Sequence, residues 1–466
     1  MNKNCNICRT SPFLSPHSSP HSLVLPFLTT SPLTDISLAF ILLPIWWLLG
    51  IEQFAWFLIF GLAAWKTLIR HRYRIRLQGP IVVLTVFIGI YLLSGFSIVE
   101  KFRLITFART LSTYITALFV LIVLTHETQN KAQFFQIVDA LLIAVGWASL
   151  IGLFAIVGIM RPEFRSSIGY LLPTTISQTD YGSRIAWREL GNVSWFAGLG
   201  VYFRVRSFFL YGTMYATALA MTLPLLLYRI RCTKKWKTRF FLFCLGIVLL
   251  VNLLFTTGRS AILALVIGLG YWSWITFGLS RRWSRLIVLL LVFTGILFTL
   301  GIIISLIQDY NLVQYVQLKI QTFLAARGSS TPDRLYVYQK TLEGWSKRPF
   351  LGWGTERDIP GFRYPAGSHS YFLGTLYKQG FVGLTVFTIL FVSLWKETSL
   401  SRIKQCFHPY AKTFLQHGRW ILVLYFINST TDVLDLDATT MTIAWTIFAL
   451  LVAVAVCRVQ FHHNKK

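Results

Sequence analysis

A chain of 466 residues that is 55% hydrophobic, 16% aromatic and only 13% charged, with a mean hydropathy of +0.60, is too apolar for a soluble globular protein. Soluble domains carry about 25% charge, so these figures exclude disorder, collagen and disulfide-rich secreted scaffolds. The net charge of +27 does not call for nucleic acid, and none is expected as a partner, because Lys and Arg gather in the cytoplasmic loops of membrane proteins. What remains is an all-α, polytopic integral membrane protein. A transmembrane barrel is excluded, since long unbroken apolar runs replace the alternation a barrel requires.

In chain order, residues up to 35 form a Ser/Pro/His-rich tail, expected to be disordered. Its Cys5 and Cys8 lack a second ligand pair, so no zinc site is expected there. Apolar runs then predict twelve spans, near 36–50, 53–69, 80–96, 108–125, 137–160, 207–228, 239–256, 260–277, 286–306, 380–395, 413–430 and 438–457. Gly50, Ile51 and Glu52 join the first two as a tight hairpin. Lys and Arg number 25 in one alternate set of connecting segments and 10 in the other, leaving aside 307–379. Segments as long as 307–379 do not vote on orientation. The expected arrangement is multi-pass in a bacterial inner membrane, with both termini cytoplasmic and the 161–206 and 307–379 loops outside.

The outer segments hold charge where topology does not ask for it. Arg204 and Arg206 stand just before the sixth span, and Arg259 sits in the short Thr-Thr-Gly-Arg-Ser-Ala turn between the seventh and eighth. Within the large outer loop, Asn311 to Ala326 has helical apolar spacing. Thr331-Pro332-Asp333 reads as a helix start, with cap, proline and acid in order, opening a helix to about Arg348. A glycine-rich turn and a loop follow, up to Ser368-His369-Ser370. No close acidic pair or Asp-x-Asp is expected in the outer loops, so no divalent metal or other cofactor is expected.

His369-Ser370, nine residues, then Gly380-Phe381-Val382-Gly383 resembles a motif of the O-antigen ligases and their relatives, the O-antigen polymerases and protein O-oligosaccharyltransferases. Arg334 and Arg348-Pro349-Phe350-Leu351-Gly352-Trp353-Gly354 resemble a second stretch of that family. Thr256 to Ala261 resembles its Ser-Arg-Gly signature, with Gly258 and Ser260 in exchanged places. Arg206 before Ser207-Phe208-Phe209 resembles the arginine that opens the family domain.

The resemblance divides the chain into a tail (1–35), an N-terminal transmembrane region (36–200), a ligase-like region (201–395) and a C-terminal two-span region (396–466). It implies an inverting, metal-independent membrane glycosyltransferase that moves a saccharide from polyprenyl diphosphate to an acceptor hydroxyl, as polymerase or ligase. Catalysis would fall to His369, Arg259 and Arg206. Arg334, Arg204, Arg348, Gly380 and Gly383 would bind substrate. Arginine suits a departing diphosphate because its fork grips two oxygens at once, and a histidine of near-neutral pKa can accept the hydroxyl proton. Glu189, Glu343 and Asp432 are alternative bases. The implied partners are a polyprenyl-diphosphate-linked saccharide, an acceptor glycan or glycolipid, membrane lipid, a chain-length regulator and a flippase. A transporter of a small anion such as bicarbonate is the rival reading. It would want ionisable residues near the middle of several spans, whereas charges here sit at span ends.

Overall fold

The computed structural model describes residues 31–196, 200–277, 330–399 and 408–456. The first helices are α1 Pro32–Ile41, α2 Leu43–Leu49, α3 Glu52–Arg70, α4 Gly79–Gly95, α5 Lys101–Glu127 and α6 Lys131–Ile156. Three short helices follow, α7 Ser167–Leu171, α8 Thr174–Ser177 and α9 Asp180–Ala186. Then come α10 Gly212–Cys232, α11 Trp236–Phe255, α12 Arg259–Phe277, α13 Ser330–Ser346, α14 Tyr371–Glu397, α15 Pro409–Thr431 and α16 Ala438–Ala455.

Among the described residues seven helices are long and apolar enough to cross a membrane: α5, α6, α10, α11, α12, α14 and α16. The pair α1–α2 makes an eighth if counted as one span bent by 62°. Pro44, in the first turn of α2, explains the bend, because its ring displaces the carbonyl four residues back and it offers no N–H. Every expected span within the described residues coincides with a helix. The span at 286–306 and the helix at Asn311–Ala326 lie outside the described residues, as does nearly all of the tail.

The bundle is built around its last helix. All 18 residues of α16 are buried, and α3, α5, α10, α14 and α15 pack on it. Its Ala- and Thr-rich sequence explains why. Small side chains let neighbouring helices approach closely, and threonine hydroxyls can bond within the bundle. A helix apolar all round belongs inside.

The 161–206 loop departs from expectation. It contains two small antiparallel sheets, β1 Glu163–Arg165 with β2 Trp187–Glu189, and β3 Gly191–Phe196 with β4 Gly200–Val205. The register sets Glu163 against Glu189 and Asn192 against Arg204. Arg188 then reaches into the bundle and grips Glu52 with both terminal nitrogens at 2.9 Å, a pair wholly buried.

Side-chain contacts sort the helix ends into two sets. At one end Glu52 meets Arg188, Gln53 meets Asp437, Arg103 meets the 356 carbonyl and Arg204 meets Thr256. At the other, Lys66 pairs with Asp35, Arg70 with Glu127, and Lys131 lies over Tyr410. These are the two sets of segments that the charge count separated. A cysteine placed at exposed Lys347 should therefore react with a membrane-impermeant maleimide in intact cells. Labelling only after lysis would invert the arrangement.

Candidate active site

The site is assembled by three backbone segments at the loop-rich end. Helical spacing places Arg334, Tyr338 and Thr341 of α13 on one face. The Tyr338 hydroxyl donates to the His369 carbonyl at 2.9 Å, and the Gly367 N–H donates to Thr341 Oγ1 at 2.8 Å. His369 is thus held from both sides of its loop. Ser370 follows as the cap of α14, accepting the Leu373 N–H at 3.3 Å.

Three candidate motifs carry backbone strain. Ser207, Thr257 and His369 have φ of 49°, 54° and 63°. Left-handed backbone is uncommon for residues other than glycine and an outlier for a branched one such as threonine. Such strain persists only where surroundings enforce it, and it clusters at functional sites. Of the five such residues described, these three adjoin or are candidates (Arg206, Gly258-Arg259 and His369 itself), while Arg72 and Tyr73 follow α3 at the other end.

The His369 ring meets the Tyr364 ring edge-on at 4.5 Å. Its Nε2 is buried with no hydrogen-bond partner among the described residues. Burial, then the charges of Arg334 and Arg363, push its pKa down to about 4. This corrects the expectation of a near-neutral value. The imidazole is neutral throughout the physiological range and has an open acceptor nitrogen.

Asp432, at the end of α15, ties the remaining groups together. It accepts the Ser260 hydroxyl at 3.1 Å and lies 3.8 Å from Arg334, which also donates to the Thr431 carbonyl at 3.0 Å. Ser260 is the neighbour of Arg259, so Asp432 brings the 256–260 turn to α13. The turn is made possible by Gly258, where a Cβ would stand 2.4 Å from the Ala216 methyl. Arg204 joins the turn too, donating from Nε to the Thr256 carbonyl at 2.9 Å.

Arg206 goes elsewhere. It donates to the Glu189 carboxylate at 3.0 Å and to the Glu189 and Leu210 carbonyls, and burial pushes its pKa down to about 10. Arg184 and Arg188 are its charged neighbours. Glu189 is engaged by Arg206, and Glu343 is exposed and paired with Lys340.

Arg348, Gly380 and Gly383 belong to a second construction. The helix α14 is broken at Gly380, whose φ is 66°. Into the break lies the 349–354 turn: Trp353 and Gly354 N–H groups donate to the Tyr377 and Lys378 carbonyls at 3.0 and 2.8 Å. Phe381 N–H returns the bond to Pro349 at 2.7 Å. A Cβ at Gly380 would fall 2.1 Å from the Phe350 oxygen, and one at Gly352 2.4 Å from the Tyr377 oxygen. The two glycine motifs are therefore partners in packing. A Cβ at Gly383 would collide with the Gln379 side chain.

Some organising residues went unforeseen. The segment 431–437 holds three carboxylates, and Asp435 and Asp437 form an Asp-x-Asp pair, contrary to the expectation of no paired acids outside. They diverge. Asp435 accepts Lys378 and the Tyr114 hydroxyl, both at 2.6 Å, while Asp437 accepts Gln53 at 2.8 Å. Among the described residues no group of three metal-binding side chains converges.

No curated protein matches the chain. Residues 244–388 match the family model described as O-Antigen ligase. That range takes in Arg259, Arg334, Arg348, His369, Gly380 and Gly383, and leaves Arg204 and Arg206 outside. This segment, with its His369-Ser370 and paired-glycine motifs, carries the chain's similarity to the O-antigen ligase family.

Proposed function

We propose that the protein transfers a saccharide from a polyprenyl diphosphate to an acceptor hydroxyl at the outer membrane face. The observation carrying this reading is His369: a neutral imidazole whose buried Nε2 has no hydrogen-bond partner among the described residues, in strained backbone, beside Arg334. Nε2 accepts the proton of the acceptor hydroxyl as its oxygen attacks the anomeric carbon. The bond from that carbon to the diphosphate oxygen breaks on the opposite face, and the configuration inverts. Charge growing on the departing diphosphate is met by Arg259 and Arg334, with Arg204 supporting the turn; guanidinium stays charged and binds phosphate oxygens in pairs. Asp432 is a positioning residue that holds Ser260 and Arg334. Arg206, bonded to the Glu189 carboxylate and to two carbonyls, has the part of shaping the entrance to α10 rather than of meeting the diphosphate directly. A polyprenyl-diphosphate-linked saccharide, an acceptor glycan or glycolipid, a flippase and a chain-length regulator are the partners this chemistry calls for. The small-anion transporter finds no support in the family match.

The test is Arg259→Lys. One ammonium cannot reproduce the two-pronged contact, so transfer by the purified protein should fall at least tenfold at normal protein level. Near-wild-type transfer would reduce Arg259 to a generic positive charge.

A further inference from the structure

Arg103, Arg348 and Arg357 meet at the loop-rich end in a place the site above does not use. The guanidinium carbons of Arg348 and Arg357 lie 4.3 and 3.9 Å from the centre of the Trp353 ring. Arg103 donates to the Glu356 carbonyl at 2.7 Å, anchoring the 355–358 segment to α5. Arg348 reaches the Ser97 carbonyl at 3.4 Å. Burial and the charges of Arg103 and Arg348 push the Arg357 pKa down, so these cations crowd one another. Glu100, 2.7 Å from Arg103, is the carboxylate acting on Arg357 in the opposite sense. The Glu356 carboxyl answers chiefly to burial, Lys378 and Asp435, and is pushed up to about 7. Asp358, next to Arg357 in sequence, is exposed, so Glu100 is the carboxylate set directly among the three guanidiniums. Arg357 Nε is buried with no hydrogen-bond partner among the described residues.

The same segments expose a run of apolar side chains. Phe96, Val99, Phe102 and Phe350 are 89%, 85%, 55% and 71% accessible. Guanidiniums gathered beside exposed hydrocarbon fit one kind of ligand, a phosphate head carried on a lipid tail.

We infer that Arg103, Arg348 and Arg357 form a second lipid-diphosphate site, which seats the acceptor. This rests on the glycosyltransfer reading. If Arg259 and Arg334 hold the donor diphosphate, an acceptor that is itself lipid-linked needs its own cations, since two diphosphates in one seat would repel. The two basic clusters flank the start of α14: His369 precedes its first turn, and the turn carrying Arg348 and Trp353 is bonded to its break. A chain with two such seats joins one lipid-linked saccharide to another, which is polymerisation. A ligase working on a different glycolipid does not need it.

Native mass spectrometry of the full chain, titrated with polyprenyl diphosphate free of sugar, reads the stoichiometry without turnover. A failure here is thereby separate from a failure of the glycosyltransfer reading. Two bound molecules are expected for the wild type, neither displaced by excess phosphatidylglycerol. Arg357→Gln disturbs no side-chain hydrogen bond among the described residues and should weaken the second by about tenfold. Arg259→Gln should weaken the other instead. A single bound molecule in the wild type, unchanged binding in Arg357→Gln, or displacement by phosphatidylglycerol would each overturn the proposal. The last result would make the cluster an ordinary phospholipid contact.

Discussion

His369→Gln is expected to lower saccharide transfer by about 10²–10⁴-fold, the usual cost of losing a general base. Glutamine keeps a polar group in the loop but has no proton acceptor near neutral pH. Lipid-linked saccharide should accumulate, with the protein still in the membrane at normal abundance, because the His369 carbonyl bond to Tyr338 comes from backbone and survives the change. The pH profile adds a second arm. The base works when unprotonated, and its free-enzyme pKa is pushed down to about 4. Thus kcat/KM should be flat from neutral pH downward and fall only as pH approaches that value. A bound diphosphate would counter the Arg334 and Arg363 charges that depress the pKa, so the kcat midpoint should lie higher. Close to wild-type transfer by purified His369→Gln would reduce the residue to a binding role. Asp432 would then be the next base to consider.

Gly380→Ala is expected to cost several kcal/mol of stability. At φ 66° and ψ −168° the backbone lies in a region essentially open only to glycine, which alone costs an alanine about 1–3 kcal/mol. The new methyl would stand 2.1 Å from the Phe350 oxygen and 2.6 Å from the Leu351 nitrogen. These are backbone atoms, so no rotamer change relieves the collision. Relief means withdrawing the 349–354 turn, and each backbone bond it makes across the break is worth about 1 kcal/mol. The purified variant should melt well below the wild type, or fail to accumulate. Gly89→Ala, in mid-helix with no atom within 4 Å of the new methyl, serves as the control and should be neutral or stabilising. Equal melting of Gly380→Ala and wild type would mean that the turn does not pack into α14 as described.

The sequence carried the periodic and the local features. Apolar runs long enough for a span and proline in the first turn of α13 act over a few residues, and one-dimensional pattern records them. The motif spacing from His369 to Gly383 was equally legible, because it lies within 15 residues of chain. The small sheets in 161–206 escaped notice because their strands of 3 and 6 residues are too short to show an alternating face. The division among the arginines was invisible for a different reason. Arg204 and Arg206 are two residues apart, yet one bonds the Thr256 carbonyl and the other Glu189. Strand direction and the turn at strained Ser207 separate them, and charge alone cannot.

Only the tertiary structure decided what each charge is for. Asp432 reaches Ser260 from 172 residues away, and Asp437 reaches Gln53 across 384. A buried carboxylate must find a donor or cation to offset its desolvation, but any of several could serve, and the choice depends on which helix ends the packing brings together. By itself the sequence determined that the chain is a helical membrane protein with basic groups and one histidine gathered in one set of its connecting segments. The burial of α16, which draws the 431–437 carboxylates in among Lys378, Ser260 and Arg334, then determined which of those groups face one another.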